Sequence, residues 1–466
     1  MSIDLSLVRI KKLFSLLPVY KRPTIHIAGT NGKGSVTAIL SSIFSASLVS
    51  VGRFNSPHLV HVWDSISING RTISQDIYRE VRSEVESIDK AESLGASSFE
   101  IMTATAAQIF EQARVDIAIF EVGLGGRLDA TNVLPDDTIL ASAITNIDLD
   151  HQKFLGSTPS AIAHEKAAIA RTGKPCILGA QRYAEAHDAA QETVHGLGGR
   201  IVNAIEVTPR LRGATSYVFP EGCQPVTAPF QPWDTTLDLE LPLRGAHQLQ
   251  NLAIALTILS VIIKERSGTP LEAALNRISP STLFHGVLKT MWPGRLEHID
   301  LLDPPLTLLV DGAHNAASAR ALQSYLLSVT HASGEDRPPR TFILGLSDSP
   351  PKTPLDTLTP LLHLDDRVAL VHFTDVEDMP WVKNVPLHEL EHVAQMLVKD
   401  GSIRLFERRP NDGPLDPLKR ALSWANTLDN REEIVLAGSL YLVADLYRLI
   451  AEQTLEPRLV TDAYCN

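Results

Sequence analysis

The run Gly29-Thr30-Asn31-Gly32-Lys33-Gly34-Ser35 lies between an apolar segment, Thr24–Ala28, and a helical pattern running from about Gly34 to Leu48. Such a turn can bring backbone N–H groups to face phosphates, and the helix N-terminus adds positive potential there. Lys33 would supply a point charge and Ser35 could reach magnesium. The spacing departs from the strict phosphate-loop pattern, because Ile27 stands five residues before Gly32 and Gly34 separates Lys33 from Ser35. The competing reading is a glycine-rich βα turn that binds no nucleotide.

Around this loop, short apolar runs alternate with helical patterns, which is the signature of an α/β fold. Asp116–Val122 and Leu140–Ile147 are continuous apolar runs, as buried parallel strands require. Helices are expected over Ser74–Leu94, Phe99–Ala113, Thr158–Thr172 and His247–Lys264, and strands over Pro175–Gly179 and Leu237–Leu241. A new strand–helix series begins at Trp292-Pro293-Gly294-Arg295, so residues 1–293 and 294–466 are taken as two domains. The proline-rich stretch 347–360 reads as a surface loop.

Composition narrows the function. With 44% hydrophobic residues, 21% charged residues and a net charge of −12, the chain lacks the basic surface that nucleic acid demands. No segment reaches the ~20 apolar residues of a membrane span, and Leu252–Ile263 reads as a buried helix. Cys176, Cys223 and Cys465 match no metal or redox spacing and suit a reduced compartment. Ile3, Leu7, Ile10, Phe14 and Leu17 recur at helical spacing until Pro18, with Asp4, Arg9, Lys11 and Lys12 among them. A structural helix is expected there, with a mitochondrial leader as the minor alternative to a cytoplasmic enzyme.

Carboxylates and a histidine end the strands beside the loop. Glu121 closes one apolar run and leads into the string Val122–Asn132, while Asp148, Asp150 and His151 follow the other. In open parallel sheets ligands bind outside these strand ends, so both ends can meet a metal, the competing reading being strand-end residues held by hydrogen bonds. Glu165-Lys166, on a helix, reads from chemistry alone as a solvated pair. In the second half, Arg295 and Asp311-Gly312-Ala313-His314-Asn315 suit either turns or a nucleotide clamp between domains.

Taken together these segments resemble the folate branch of the Mur ligase superfamily, the dihydrofolate synthases and folylpolyglutamate synthases. The resemblance rests on Gly29–Ser35, Ser56-Pro57-His58-Leu59, Phe99-Glu100 with Thr103, Glu121–Asn132, Leu149-Asp150-His151 and Glu165-Lys166-Ala167. It continues through His247-Gln248 with Asn251, Pro293-Gly294-Arg295, Asp311–Asn315 and Gly438-Ser439-Leu440-Tyr441. It implies a P-loop, Mur-ligase-type ATPase domain with a mostly parallel sheet, plus a smaller Rossmann-like α/β C-terminal domain.

The implied reaction joins L-glutamate to 7,8-dihydropteroate at the expense of ATP, through an acyl phosphate, in a monomer. By the same resemblance Thr30, Asn31, Gly32, Lys33, Gly34 and Ser35 hold the ATP phosphates, and Asn251, Arg295, Asp311 and His314 the rest of the nucleotide. Ser35, Ser56, Glu121 and His151 are implied to bind two magnesium ions. Lys166 is implied to act as a CO2-derived carbamate, alongside Lys33 and His151 in catalysis. Asp129 would accept from a pterin's aminopyrimidine edge, with Phe99 stacked on the ring.

Some positions depart from the family pattern. Asn55 stands where threonine is common, Ala168 where glycine is common, and Ser347-Asp348-Ser349-Pro350 lacks an Asp-Lys-Asp run that touches on the glutamate site. Folylpolyglutamate synthesis, alone or in a bifunctional enzyme, is the alternative on the same chemistry. Asn31 and the segment Gly52–Asn69, similar to fungal dihydrofolate synthases, lean away from it. A P-loop kinase would not need Glu121–Asn132, His151 and Lys166 together, and an idle nucleotide-binding module should have lost at least one of Lys33, Glu121 or His151, all of which are present.

Overall fold

The computed structural model describes residues 6–210, 222–265, 268–302, 304–333, 337–428 and 433–452, so Ile3, Asp4 and Cys465 lie outside the described residues. The chain divides into two compact units, Met1–Leu243 with His247–Trp292, and Arg244–Ala246 with Pro293–Asn466. The small Arg244–Ala246 insert belongs to the second unit although no shift in composition marks it.

The first unit is built on strands β1 (Thr24–Ala28), β2 (Val51–Phe54), β3 (Ile66–Ile68), β4 (Arg71–Thr72), β5 (Ile117–Glu121), β6 (Ile139–Ile144), β7 (Pro175–Leu178) and β8 (Arg200–Asn203). They form one sheet in the order β4-β3-β2-β5-β1-β6-β7-β8. From β2 to β8 every pairing is parallel, and the β2-β3-β4 edge is antiparallel. All residues of β1 and β5 are buried, which is why β5 reads as a continuous apolar run up to Glu121, while β1 buries Thr24 and His26 between its apolar residues.

The main helices of this unit are α1 (Val8–Leu16), α2 (Lys33–Ala46), α3 (Gln75–Ala91), α4 (Ser98–Gln112), α5 (Gln152–Leu155), α6 (Pro159–Ala167), α7 (Ala184–Gly196) and α8 (His247–Glu265). One face of the sheet packs on α2 and α8. The same core takes in a three-stranded antiparallel sheet of Thr208–Pro209 (β9), Gln224–Phe230 (β10) and Thr235–Leu241 (β11). The other face packs on α1, α3 and α4. Helix α8 is apolar and long enough to cross a membrane by composition, yet 78% of that window is buried inside the protein.

Local chemistry sets several boundaries. Ser97 and Glu100 form a reciprocal capping box at the start of α4, and Thr158 accepts from Ala161 N–H ahead of Pro159 in α6. Helix α6 stops at Ala167 instead of running to Thr172, and β6 stops at Ile144 instead of Ile147. Strand β11 lies where the sequence places a strand, Leu237–Leu241, whereas β3, β4, β8, α7, β9 and β10 have no counterpart among the expected elements. Strands β3, β4, β8 and β9 span only two to four residues, and Pro225 and Pro229 interrupt β10 as a sequence signal although both fit its register.

The second unit carries β12 (Glu297–Leu302), β13 (Pro305–Val310), β14 (Arg340–Leu344), β15 (Arg367–Val371), β16 (Ile403–Phe406) and β17 (Glu433–Ala437), in the order β12-β13-β17-β14-β15-β16. Among the described strand pairs of this sheet, β12–β13 is antiparallel and the others are parallel. The stretch 347–360 is more than a surface loop. Thr353 and Asp356 cap a short helix, Pro354–Leu358, whose Pro354, Thr357 and Leu358 are buried.

Candidate active site

The turn between β1 and α2 is drawn tight by close backbone approaches. Gly29 has φ 147° and Gly32 φ 94°, a region that L side chains avoid. A Cβ at Gly29 would stand 1.8 Å from Thr145 Oγ1, and one at Gly32 would stand 2.3 Å from Asn251 Oδ1. The loop is further pinned to the segment after β6. Thr30 N–H donates to Asn146 O at 2.7 Å, Thr145 Oγ1 donates to Asn31 O at 2.7 Å, and Asp148 N–H donates to Thr30 Oγ1 at 3.0 Å. Carbonyls are therefore tied down behind the loop, while the first N–H groups of α2 have no intrahelical acceptor.

Lys33 folds back over this turn. Its Nζ donates to Gly29 O at 3.1 Å and Thr30 O at 3.2 Å, and lies 3.8 Å from Glu121 Oε1. Glu121, at the end of β5, is 5% exposed and accepts from Asn55 Nδ2 at 2.6 Å. The same amide also reaches Thr37 Oγ1 of α2 at 2.7 Å. Lys33, Glu121 and Asn55 thus form one linked group, with Ser35 buried on α2 and Ser56 half-buried beside Asn55.

Lys166 overturns its reading as half of a solvated pair. It is 4% exposed, and its Nζ crosses to the phosphate loop to donate to Gly29 O at 2.9 Å. Burial first, and Lys33 second, push its pKa down from 10.5 to about 7, against the pull of Asp150 and Asp129. Only Glu165 behaves as the sequence suggested, pairing at 2.9 Å with the largely exposed Arg127.

His151 is exposed, with φ 51°, at the start of α5, and its N–H donates to Asp150 Oδ1 at 2.8 Å. Asp148 and Asp150 are buried. Among the described residues no three His, Cys, Asp or Glu side chains converge as a ready-made metal cage.

The string Gly123–Asn132 packs on α6, with Arg127 N–H donating to Glu165 O at 2.8 Å. Asp129 braces it. Its Oδ2 accepts from Leu124 N–H at 2.7 Å, and its Oδ1 accepts from Thr131 N–H at 3.0 Å and Thr131 Oγ1 at 2.5 Å. Buried His26 donates in turn to Thr131 Oγ1 at 2.8 Å, because that hydroxyl's proton is already given to Asp129. Burial raises the Asp129 pKa, opposed by these hydrogen bonds. Phe99 stands beside the string: a Cβ on Gly123 would lie 2.4 Å from its ring, which also packs 6.1 Å from Phe54.

Asn251 lies in the first unit, over Gly32, and donates to the buried Gln248 Oε1 at 2.8 Å. The second unit gathers Arg295, Asp311 and His314 in one corner. Asp311 accepts from Leu296 N–H at 2.9 Å and Ala313 N–H at 2.8 Å, and His314 Nδ1 meets Gly312 O at 2.9 Å. Burial raises the pKa of Asp311, and the positive charge of Arg295 opposes that shift. Lys352 Nζ donates to His314 O at 2.8 Å and so ties the 347–360 stretch to this corner.

Residues 27–259 match the Mur ligase middle domain and residues 295–449 the C-terminal domain of dihydrofolate synthetase. Dihydrofolate synthetase of Saccharomyces cerevisiae is 34% identical to this chain over 459 residues, covering 96% of it and 98% of the yeast protein. Folylpolyglutamate synthase of Mycobacterium tuberculosis, solved with ADP and AMPPCP, is similar in structure with a TM-score of 0.77 and 28% identity, over 95% of each chain. E. coli FolC, solved with DHPP and ADP, gives a TM-score of 0.73 and 25% identity, over 97% of this chain and 95% of that one. The chain belongs to the dihydrofolate synthetase and folylpolyglutamate synthase family of Mur-type ligases.

Proposed function

We propose that this chain is a dihydrofolate synthase, which uses ATP to join L-glutamate to 7,8-dihydropteroate and releases dihydrofolate, ADP and phosphate. The observation that carries the reading is the meeting of Lys33 and Lys166 on one carbonyl, Gly29 O, beside buried Glu121. Two lysines so close repel each other unless a polyanion or a carbamate answers them. A whole-length yeast relative of the same name supports the choice of substrates.

A carboxylate does not react with an amine at neutral pH, since its oxygen is a poor leaving group. In the proposed reaction a pteroate carboxylate oxygen attacks the γ-phosphorus of ATP and the bond to the β-phosphate oxygen breaks, releasing ADP. The glutamate amine then attacks the acyl carbon, the C–O bond to phosphate breaks, and the amine gives up a proton. Lys33 and the first N–H groups of α2, with Thr30, Asn31, Gly32, Gly34 and Ser35, would hold the phosphates and meet the charge that develops on them. Asn251, Arg295, Asp311 and His314 would hold the remainder of the nucleotide.

The donors near the loop are hard oxygens plus one imidazole, a set that suits magnesium held jointly by protein and phosphates. Ser35, Ser56, Glu121 and His151 would hold two such ions, and magnesium bound there would supply charge neutralisation. Lys166 fits a carbamate. Its depressed pKa keeps a neutral amine available near pH 7, which reaction with CO2 needs. Phe99 and Asp129 would line the pterin side. A cytoplasmic monomer completes the proposal.

ADP release measured with dihydropteroate and with tetrahydrofolate as acceptor tests the reading. Dihydropteroate should be preferred at least tenfold in kcat/KM, about 1.4 kcal/mol of transition-state discrimination, in a reaction requiring magnesium and glutamate. If tetrahydrofolate or its glutamates are the better acceptors, folylpolyglutamate synthesis replaces it, a reading favoured by the likeness to the mycobacterial enzyme.

A further inference from the structure

Arg53 has no part in the reaction as described so far, and its setting is unusual for an arginine. On β2 the residues alternate between the two faces of the sheet. Val51 belongs to the core shared with α2, whereas Phe54 packs on Phe120 and Phe99 on the opposite face. Arg53 follows Val51 and so rises on the α2 side. Its guanidinium carbon lies 4.9 Å from the centre of the Trp292 ring. That ring is pressed against the phosphate loop, where a Cβ at Gly34 would stand 2.5 Å from it. Arg53 is therefore held beside the residue that separates Lys33 from Ser35.

The group lacks acceptors. Arg53 Nε is buried with no hydrogen-bond partner among the described residues, and the same holds for Trp292 Nε1, which also lies against Gly34. Glu121 acts on Arg53 through charge alone, while its oxygens serve Asn55 and Lys33. Burial lowers the Arg53 pKa from 12.5 to about 10, so the guanidinium stays charged at neutral pH. A half-buried cation stacked on an indole, without a carboxylate of its own, fits a ligand made of acceptors. Its fork of N–H donors matches phosphoryl oxygens better than a point charge does.

We infer that Arg53, laid on Trp292 at the first turn of α2, is a third cationic arm of this site and takes oxygens of the nucleotide's terminal phosphate. The inference rests on the ATP-ligase reading and adds to it a residue that the phosphate-loop pattern does not contain. The terminal phosphate is chosen over the carboxylate of the acceptor because Phe99 and Phe54 lie on the other face of β2. Lys33, Arg53 and Lys166 would then approach one polyanion from three elements: α2, β2 and α6.

Calorimetric titration of the whole protein with magnesium plus ADP, or magnesium plus AMPPCP, separates the terminal phosphate from the rest of the nucleotide. Arg53→Met should weaken AMPPCP at least tenfold and ADP no more than twofold. Arg53→Lys, which keeps the charge but not the fork, should regain part of the loss, and this variant guards against a misfolded Arg53→Met. Equal losses for both nucleotides, or none for either with only a lower melting temperature, would overturn the inference and leave Arg53 a structural cation on Trp292. A raised KM for dihydropteroate with AMPPCP binding intact would overturn it in favour of the acceptor's carboxylate. In all these cases wild-type nucleotide binding survives. If the wild-type chain binds neither nucleotide, the ligase reading itself fails, and Arg53's role with it.

Discussion

Replacing Lys166 with methionine should change how stability depends on pH as well as its overall level. The lysine is 4% exposed, and its folded pKa is about 7 against an ordinary 10.5. Below pH 7 both the folded and unfolded chains carry the proton, and the folded chain bears the full penalty of a buried charge. As pH rises from 7 towards 10.5 only the unfolded chain keeps the proton, so the penalty fades and stability rises. Each pH unit in that window is worth up to about 1.4 kcal/mol, and allowing for half-protonation at pH 7 the gain by pH 9 is about 2 kcal/mol.

Methionine does not titrate. Urea unfolding of both proteins at pH 7, 8 and 9 in CO2-free buffer should therefore show the wild type gaining about 2 kcal/mol on Lys166→Met across that range. Parallel curves would mean that the amine is solvated and that its proximity to Gly29 and Lys33 has no electrostatic consequence. Bicarbonate supplies the second half of the test. At pH 8 it should raise both stability and turnover of the wild type and leave Lys166→Met unaffected. Lys166→Arg, which cannot form a carbamate, should retain less than about a tenth of normal turnover, a loss above about 1.4 kcal/mol. Higher activity would show that the position needs only a cation.

Lys33→Ala should abolish glutamate incorporation with an unchanged circular dichroism spectrum, since Lys33 touches loop carbonyls and Glu121 and is not packed in the core. Near-normal turnover would remove the phosphate-loop assignment. Gly32→Ala should cost about 1–3 kcal/mol of stability in urea unfolding, because φ 94° is strained for alanine and the new Cβ would meet Asn251 Oδ1. It should weaken nucleotide binding as well, and a variant as stable as wild type would refute the tight packing of Asn251 on the loop.

The tight turn between β1 and α2 was legible because its signal is local: glycines at fixed offsets between a strand and a helix. The buried strands were legible because parallel strands covered on both faces read as apolar runs. Lys166 was not legible by chemistry alone. Its partner, Gly29 O, lies 137 residues away, and nothing in the local helical pattern separates a solvated Glu-Lys pair from one whose lysine is folded inward. Only the resemblance singled it out. Asn55 is a subtler case. In sequence it is a departure that removes no chemical group. In the fold it is the donor that holds Glu121 against Thr37 of α2, which a threonine's single hydroxyl could not do in the same way. Arg53 and Trp292 could not be paired from sequence, since no local spacing connects β2 to the residue that closes the first unit.

The overall charge of −12 and the chemistry of the site point in opposite directions, and distance decides between them. At physiological salt, exposed charges more than ~8 Å apart barely feel one another. The acidic surface therefore hardly bears on the group of charges around the β1–α2 turn. Around the loop the carboxylates are already engaged within the fold, Glu121 by Asn55 and Lys33 and Asp129 by Thr131 and Leu124. The cations sit on the phosphate loop itself: Lys33 and Lys166 share Gly29 O, and Arg53 leans on the tryptophan that touches Gly34. A site that engages its acids in internal hydrogen bonds and crowds its bases on one loop has its potential set for an anion before any ligand arrives. In the proposed reaction that anion gains charge on the transferred phosphoryl group, which is where fixed positive groups lower the barrier most.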